Sequence, residues 1–223
     1  MSEQGKIRVL VWSEHTAPKA MYPNDINGVV ADGLRQDPIF EVSTAELVDP
    51  DQGVSEEVLA NTDVLAWWGH LLHRMVRDET VDRIERHVKE RGMGFLALHS
   101  SHMAKPFTRL IGDDGRIGGV KHEAGPEEVK VLAPDHPIAA GVSDFSIDPE
   151  EMYDEEFGAG KPDTVVFHST FPGGHEFRSG LTYTVGLGRI FYFRPGHEEN
   201  PTYYRDDVRH ILRNAAKWAA GRS

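Results

Sequence analysis

The chain has 223 residues, of which 39% are hydrophobic and 27% are charged, a composition typical of one soluble globular domain. Its 24 basic and 36 acidic residues give a formal net charge of -12, which disfavours nucleic acids and anionic membranes as partners. The sequence contains no cysteine, which excludes disulfides, thiolate metal sites and cysteine nucleophiles. No apolar run approaches the roughly 20 residues of a membrane span, and no leader precedes the first strand, so we expect a single cytoplasmic domain over 1–223.

The first half of the chain alternates short apolar runs with helical patterns. Strands are predicted over 6–12, 40–45, 62–70 and 94–99, and the last of these has the continuous apolar character of a central strand in a parallel sheet. Apolar residues recur at helical spacing in the segments between them, which predicts helices over 24–35, 55–59 and 77–91. This alternation predicts an α/β fold with right-handed crossovers and a mainly parallel sheet.

Beyond residue 113 the chain changes to glycine-rich turns and short strands. The runs 127–132, 164–168 and 181–185 predict an antiparallel edge or flap. The segment 188–198 then returns to the core, and an amphipathic helix is predicted over 206–219.

Histidine and glutamate cluster at the ends of the predicted strands. Ligands of open parallel sheets bind beyond the carboxyl ends of the strands, so residues just after each strand are the first place to seek a functional site. These residues are Glu14, His15, His70, His73, His99, His102, His197 and Glu198. Because several independent loops place an imidazole on the same rim, we expect a functional site there.

Two chemistries would use such a cluster. Neutral imidazoles with a carboxylate or water form ordinary sites for zinc, iron or manganese, which polarise a carbonyl or acidify a bound water. Imidazoles with a pKa near 6.5 can instead act as general acid and base without a metal. The spacing leaves both alternatives open, because neither G-H-L-L-H nor H-S-S-H matches a specific metal motif.

Other polar and aromatic residues are expected near the same rim. The acidic run D-P-E-E-M-Y-D-E-E-F supplies Glu151 and Tyr153, either as a lid over the site or as a solvated turn. Arg178 lies near several glycines, where its planar donor group could grip a carbonyl or a hydroxyl. Trp67 and Trp68 should face opposite sides of the sheet, so one packs in the core and the other is a candidate to stack on a sugar ring.

With these residues identified, the chain resembles the ThuA-like family of trehalose-utilisation proteins. The resemblance covers nearly the whole chain and is carried by V-L-A-W-W-G-H (64–70), L-H-S-S-H (98–102), E-E-M-Y (150–153), F-R-S-G (177–180), F-Y-F-R-P-G-H-E (191–198) and P-T-Y (201–203). It implies a three-layer α/β/α, flavodoxin-like fold similar to the class I glutamine amidotransferases.

The resemblance also implies that glutaminase chemistry is absent. Amidotransferases of this fold carry G-x-C-x-G-H, and A-L-H-S-S-H aligns with it so that His99 takes the cysteine position and His102 the histidine position. His99 would then lie on a strand-to-helix turn, at a helix N-terminus that favours a neutral imidazole. Ser100 lacks the glycines of a G-x-S-x-G nucleophile turn. The amidotransferase F-H-P-E motif corresponds to F-R-P-G-H-E, with Arg194 at the histidine position and His197 displaced.

For function, the resemblance implies catabolism of trehalose or a related glycoside, beside sugar dehydrogenases that produce 3-keto sugars. We expect metal-assisted proton transfer on a keto sugar, giving isomerisation or elimination, with a divalent metal ion, zinc first, bound by His70, His99 and His197. His102 and Glu151 are expected to move protons. The residues expected to contact the sugar are Glu14, Trp68, His73, Tyr153, Arg178 and Glu198.

Two other functions remain open from the sequence. One is a non-catalytic sugar-binding or regulatory protein on an amidotransferase-like scaffold, and the other is a metal-dependent hydrolase. The expected partners are a small sugar, a sugar dehydrogenase of the same pathway and a second copy of the chain.

Overall fold

The computed structural model of the chain describes residues 5–122 and 125–222, so both ends of the expected domain 1–223 lie outside the described residues. The predicted elements of the α/β pattern are confirmed within a few residues at each end. The strands are β1 (Ile7–Ser13), β2 (Phe40–Glu46), β3 (Val64–Trp68), β4 (Gly94–Leu98), β5 (Gly119–Lys121), β6 (Glu127–Val131), β7 (Phe145–Ile147), β8 (Met152–Asp154), β9 (Thr164–Phe171), β10 (His175–Val185) and β11 (Gly188–Phe193). The α-helices are α1 (Asp25–Arg35), α2 (Glu56–Ala60), α3 (Asp78–Arg91), α4 (Lys105–Ile111) and α5 (Asp206–Ala219).

Nine strands form one sheet in the order β2-β1-β3-β4-β11-β10-β9-β6-β7. The first five strands in this order run parallel. The remaining four extend the sheet in antiparallel fashion. Strands β5 and β8 pair separately as a two-stranded antiparallel sheet. The expected mainly parallel sheet with an antiparallel edge is therefore confirmed.

Helices cover both faces of the parallel part of the sheet. Because side chains alternate along a strand, neighbouring residues of β1 enter different cores. Val9 lies in a buried cluster with residues of α1 and α5 such as Ile211. Leu10 lies in a second cluster with Ile84 of α3 and Phe107 of α4. This arrangement gives the expected three layers, and none of the helices in the described ranges is long and apolar enough to cross a membrane.

Local sequence signals begin and end two of the helices. The Ser55 side chain accepts a hydrogen bond from the Val58 backbone N–H and caps α2. Helix α3 ends at Gly92, which has a φ of 77°. A residue in this left-handed conformation is usually glycine, since glycine has no β-carbon to clash with the backbone.

Gly94 at the start of β4 provides a test of the packing between the sheet and α5. A β-carbon at Gly94 would lie 2.7 Å from the Ala219 Cβ and 2.9 Å from the Ala219 carbonyl oxygen. We expect Gly94→Ala to destabilise the fold by about 1–3 kcal/mol through overpacking. Urea unfolding measures this change. The matched strand control is Gly119→Ala, where the nearest atom lies 3.6 Å from the new β-carbon, and an equal loss in both variants would contradict the expectation.

Candidate functional site

The candidate site begins at the end of β4, where the chain turns sharply at His99. This residue has a φ of 51°, a left-handed conformation that is costly for a residue with a β-carbon and is often found at functional sites. The turn continues as a short 3₁₀ segment over His99–Met103, and α4 begins only at Lys105. The predicted sharp turn is thus present, but the expected α-helix N-terminus at His99 is not, so the helix-dipole argument does not apply to this imidazole.

The His99 ring is oriented by the backbone. Its Nδ1–H donates to the Arg194 carbonyl oxygen at 2.9 Å. In a neutral ring the Nε2 atom then carries the lone pair, and this atom lies 3.2 Å from Glu151 Oε2. Metal-binding histidines are commonly oriented by such a hydrogen bond from the second ring nitrogen. The Nε2 lone pair of a neutral His99 thus faces a carboxylate oxygen. Two electron-rich atoms at this distance repel each other unless a proton or a metal ion lies between them.

Arg194 holds both His99 and Glu151 in place. The residue directly follows β11 and is fully buried. Its guanidinium donates to the Glu127 carboxylate and to the Glu151 carbonyl oxygen. Since the carbonyl of the same arginine accepts the His99 N–H, Arg194 sets the relative positions of His99 and Glu151.

Glu150 orders the loop that follows β11. Its fully buried carboxylate accepts the backbone N–H groups of Gly196 at 3.1 Å and His197 at 3.4 Å. It also accepts the Asn200 side-chain amide at 3.2 Å and the Thr202 hydroxyl at 2.7 Å. These contacts position His197 and the residue after it over the ends of β4 and β11.

Glu151 lies at the centre of three imidazoles. Its Oε1 atom is 3.6 Å from His197 Nε2 and 2.9 Å from His122 Nδ1. Burial alone would raise the pKa of Glu151, but His99 and the two other imidazoles lower this pKa to about 2. His122 follows β5 and is exposed, and its K-H-E sequence context is compatible with either a site residue or a surface residue.

His70 and Glu198 form a second imidazole–carboxylate pair. His70 Nε2 lies 3.1 Å from Glu198 Oε1, and His70 Nδ1 lies 2.7 Å from the Ser100 hydroxyl. Burial would lower the pKa of His70, but the hydrogen bond and charge of Glu198 raise it. Burial would likewise raise the pKa of Glu198, but His70 and His197 lower it to about 2. The two groups therefore stabilise each other in their charged forms.

Among the residues that the structure describes, two sets of three side chains place ligand atoms within 4.8 Å of one another: His99, Glu151 and His197, and His70, His99 and Glu198. Two ligands of a tetrahedral zinc ion lie about 3.4 Å apart, since each is about 2.1 Å from the metal. The separations from Glu151 to His99 and to His197, 3.2 Å and 3.6 Å, fit this value. The expected combination of His70, His99 and His197 is not one of these two sets, and in each of them a carboxylate takes one place. Both ring nitrogens of His70 also have side-chain partners, so the first set fits a metal ion better.

Three residues expected to contact a sugar are instead committed to protein contacts. Trp67 and Trp68 lie in opposite cores as predicted, but both are fully buried, so Trp68 offers no ring face to a ligand. The Arg178 Nε and Nη2 groups donate to the Glu155 carboxylate and to the Phe157 carbonyl oxygen. These protein contacts do not favour the two expected sugar contacts.

Glu14 is the third such residue. It is 4% exposed, and its Oε2 atom accepts the backbone N–H groups of Leu71 and Leu72 at 2.7 Å and 2.8 Å. Glu14 thus orders the loop after β3 rather than reaching a ligand. His73 lies 3.8 Å from the other Glu14 oxygen and lines a surface cavity of about 370 Å³. Burial lowers the pKa of His73 to about 4, so it is neutral near pH 7.

The surroundings of His102 do not favour its expected role in proton transfer. Its Nδ1–H donates to the Gly115 carbonyl at 2.5 Å, and its ring packs against Tyr153, Phe157 and Tyr192. Burial among these aromatic rings lowers the pKa of His102 to about 4. His102 is therefore a neutral packing residue behind the site, whereas Glu151, its expected partner, lies at the site's centre.

Fold and site together define an α/β domain of the class I glutamine amidotransferase type, with histidine at the position of the nucleophile. The model of the ThuA family, described as trehalose utilisation, matches residues 8–219. The chain therefore belongs to the ThuA family, which associates it with carbohydrate metabolism.

Solved structures agree with this assignment at the level of the fold. A ThuA-like protein of Parabacteroides merdae is 18% identical with a TM-score of 0.74, covering 96% of this chain and 90% of its own. A cytoplasmic protein of Salmonella typhimurium is 13% identical with a TM-score of 0.66, over 96% and 99%. A glutamine amidotransferase of Thermotoga maritima is 14% identical with a TM-score of 0.63, over 96% and 98%. A search of curated protein sequences found no match.

The His70–Glu198 pair predicts a measurable pKa change. Replacing Glu198 by Gln removes the hydrogen bond and the largest charge that raise the pKa of His70, and leaves the burial that lowers it together with the weaker effects of Glu151 and Glu14. We therefore expect Glu198→Gln to lower the pKa of His70. NMR titration of ¹³C-labelled imidazoles in chelator-treated protein measures this shift. Glu176→Gln, whose carboxylate lies 3.7 Å from His168, is the control and should leave His70 unchanged.

Proposed function

We propose that the chain is a cytoplasmic enzyme of carbohydrate catabolism that moves protons on a keto derivative of trehalose or a related glycoside. The reaction is isomerisation of the keto sugar or elimination of its glycosidic group. A sugar dehydrogenase would supply the substrate. The observation that carries the proposal is the buried cluster in which two imidazole–carboxylate pairs, His99 with Glu151 and His70 with Glu198, lie side by side.

The chemistry of a keto sugar matches these groups. A carbonyl acidifies the neighbouring C–H bond, so a positioned base can remove that proton and an acid can protonate the resulting enediolate oxygen. Glu198 has one oxygen on His70, while its Oε2 atom is buried without a hydrogen-bond partner among the described residues. We assign Glu198 Oε2 as the base and His70 as the acid. Returning the proton to the adjacent carbon gives the isomer, and expelling the glycosidic oxygen gives the elimination product.

We further propose that His99, Glu151 and His197 bind a divalent metal ion, with zinc as the first candidate. When bound, such an ion supplies charge stabilisation for an enediolate oxygen. His197 Nδ1 accepts the Glu199 backbone N–H at 3.3 Å, which leaves the proton of the neutral ring on Nε2, facing the carboxylates. A metal ion bound at Nε2 would require the other neutral tautomer, with the proton on Nδ1, so the contact with the Glu199 N–H would be lost.

The metal site predicts specific losses in two variants. We expect untagged protein to contain close to one zinc, iron or manganese ion per chain, and His99→Ala and His197→Ala each to lower metal affinity by at least about tenfold, because each removes a ligand. Mass spectrometry gives the metal content, and the melting temperature with and without added zinc gives an independent measure. His210→Ala is the control, since this imidazole lies on α5 and contacts the Ala140 carbonyl. Protein that neither contains metal nor gains thermal stability from zinc would remove this part of the proposal.

The reaction predicts proton exchange on a keto sugar. In D₂O, we expect the protein to exchange the proton next to the carbonyl of 3-keto-trehalose and to convert the sugar to product. Glu198→Gln should slow both by about 10²–10⁴-fold, the usual contribution of a general base. ¹H NMR follows exchange and product together, and Glu176→Gln is the control. If the parent protein binds 3-keto-trehalose without exchange or conversion, the chain is a sugar-binding protein instead.

A further inference from the structure

A surface cavity of about 370 Å³ lies between the two chain segments that carry His70 and His99. Leu71, the residue after His70, lines this cavity, and so does Met103, at the end of the 3₁₀ segment that begins at His99. The two segments contact each other within the candidate site, where His70 Nδ1 lies 2.7 Å from the Ser100 hydroxyl. The cavity is therefore next to the candidate site along both segments.

The cavity has an apolar lining although it is open to solvent. The Leu71, Met75 and Met103 side chains line it, and these residues are 66%, 62% and 55% exposed. Of the nine large hydrophobic residues that are exposed in the described part of the chain, three thus meet at this cavity. A cluster of exposed apolar side chains typically marks a binding surface. A sugar ring carries hydroxyl groups that would lose hydrogen bonds in such a lining, so an apolar ligand group fits it better.

The charge of the lining is opposite to that of the whole chain. The chain has 36 acidic and 24 basic residues, yet Arg74 and Lys105 line the cavity and no described acidic residue does. Lys105 Nζ lies 2.9 Å from Asp78 Oδ1, whereas the exposed Arg74 forms no salt bridge with a described residue. His73 is neutral near pH 7 and adds no charge. An apolar ligand group that carries a carboxylate would complement both the apolar side chains and Arg74.

The protein itself orders the loop that forms part of this cavity. Glu14 Oε2 accepts the backbone N–H groups of Leu71 and Leu72, and the Gln52 side-chain amide donates to the Met75 carbonyl at 2.9 Å. Both ends of the loop over 71–75 are thus held in place. A preformed cavity costs little ordering when a ligand binds, which favours affinity for a small group.

We propose that this cavity binds the aglycone of the substrate, and that the aglycone is an aromatic group with a carboxylate. The inference rests on the proposed function and deepens it, because it specifies the substrate as a keto glycoside of an aromatic acid. Methionine sulfur makes favourable contacts with aromatic rings, and a guanidinium stacks on them. With the keto sugar at His70 and Glu198, the group on its glycosidic oxygen would extend towards Leu71 and Met103.

Binding of a non-reactive glycoside tests this inference without turnover. With the protein as purified, we expect 4-carboxyphenyl α-glucoside to bind at least about tenfold more tightly than trehalose, because its ring buries apolar surface against the lining. Calorimetry measures the affinities. In ¹³C-methyl NMR, the Met75 and Met103 signals should shift and the signal of the buried Met93 should not. The imidazole signals of His70 should shift as well, since the sugar lies there.

Two variants separate the apolar contact from the charge. Met103→Ser should weaken binding of 4-carboxyphenyl α-glucoside and of phenyl α-glucoside by about three- to tenfold each. Arg74→Gln should weaken only the carboxylate probe, by about two- to fivefold, as is typical of an exposed ion pair. Leu187→Ser and Arg116→Gln are the matched controls, since both residues are exposed and neither lines the cavity. Both controls should bind the probes as the parent does.

Several results would overturn the inference. One is a protein that binds trehalose as tightly as 4-carboxyphenyl α-glucoside, or that does not bind this probe. Another is a shift of the Met75 and Met103 signals without a shift of His70, which would separate the cavity from the candidate site. A third is a dimer that Met103→Ser converts to a monomer in sedimentation, which would make the cavity an interface between copies. Absence of proton exchange on a keto sugar would instead overturn the proposed function, so the two failures are distinguishable.

Discussion

The site depends on one buried cation, the guanidinium of Arg194. It is fully buried, it pairs with the Glu127 carboxylate from the antiparallel edge of the sheet, and it donates to the Glu151 carbonyl. Removing one partner of a buried ion pair typically costs about 3–5 kcal/mol, because the other charge is left uncompensated. A buried pair of this kind contributes little net stability compared with apolar packing, so the more informative effect is geometric. Arg194 fixes the backbone of Glu151 and, through its own carbonyl, the ring of His99.

The consequence is that the parallel and antiparallel parts of the sheet are needed together. His99 follows the central strand β4, while Glu127 lies on β6, three strands further along the sheet from β11. Glu150 adds a second link, because its carboxylate orders the loop after β11 that carries His197. The expected flap is thus a structural support as well as an edge. Without it, the residues at the ends of β4 and β11 would lack their fixed orientation.

The sequence predicts the sheet and the clustering of histidines at its carboxyl edge well, because both follow from local patterns. Apolar runs of β4 and β11 and the helical spacing of α3 need no long-range information. The placement of His70 and His99 at strand ends follows from the same patterns. The contacts of individual polar side chains do not follow from local patterns, because their partners lie far along the chain. Arg178 pairs with Glu155, and Glu14 caps a loop more than 50 residues away, and neither contact has a spacing rule.

His102 shows the same limit most clearly. Both histidines follow β4 in the sequence, but the chain turns at His99 in a left-handed conformation and the His102 ring packs against aromatic side chains. Ser100, between the two, was excluded on sequence grounds as a nucleophile, yet it contacts His70 and Tyr153. The motif argument considered only a nucleophilic role for the Ser100 hydroxyl, and sequence alone did not predict its hydrogen bonds with these two side chains.

The comparison with amidotransferases then has a physical interpretation. At the sharp turn after β4, that fold places a cysteine, and this chain places His99, which cannot form an acyl intermediate in the same way but can bind a metal ion or a proton. At the amidotransferase histidine position, this chain has Arg194, a permanent cation that does not exchange protons near neutral pH. The carbonyl of Arg194 orients the His99 ring, so the residue at the histidine position has a structural role here. In the proposed reaction, acid and base functions therefore come from elsewhere on the rim, and His70 and Glu198, on the neighbouring loops, are the pair whose contacts suit them.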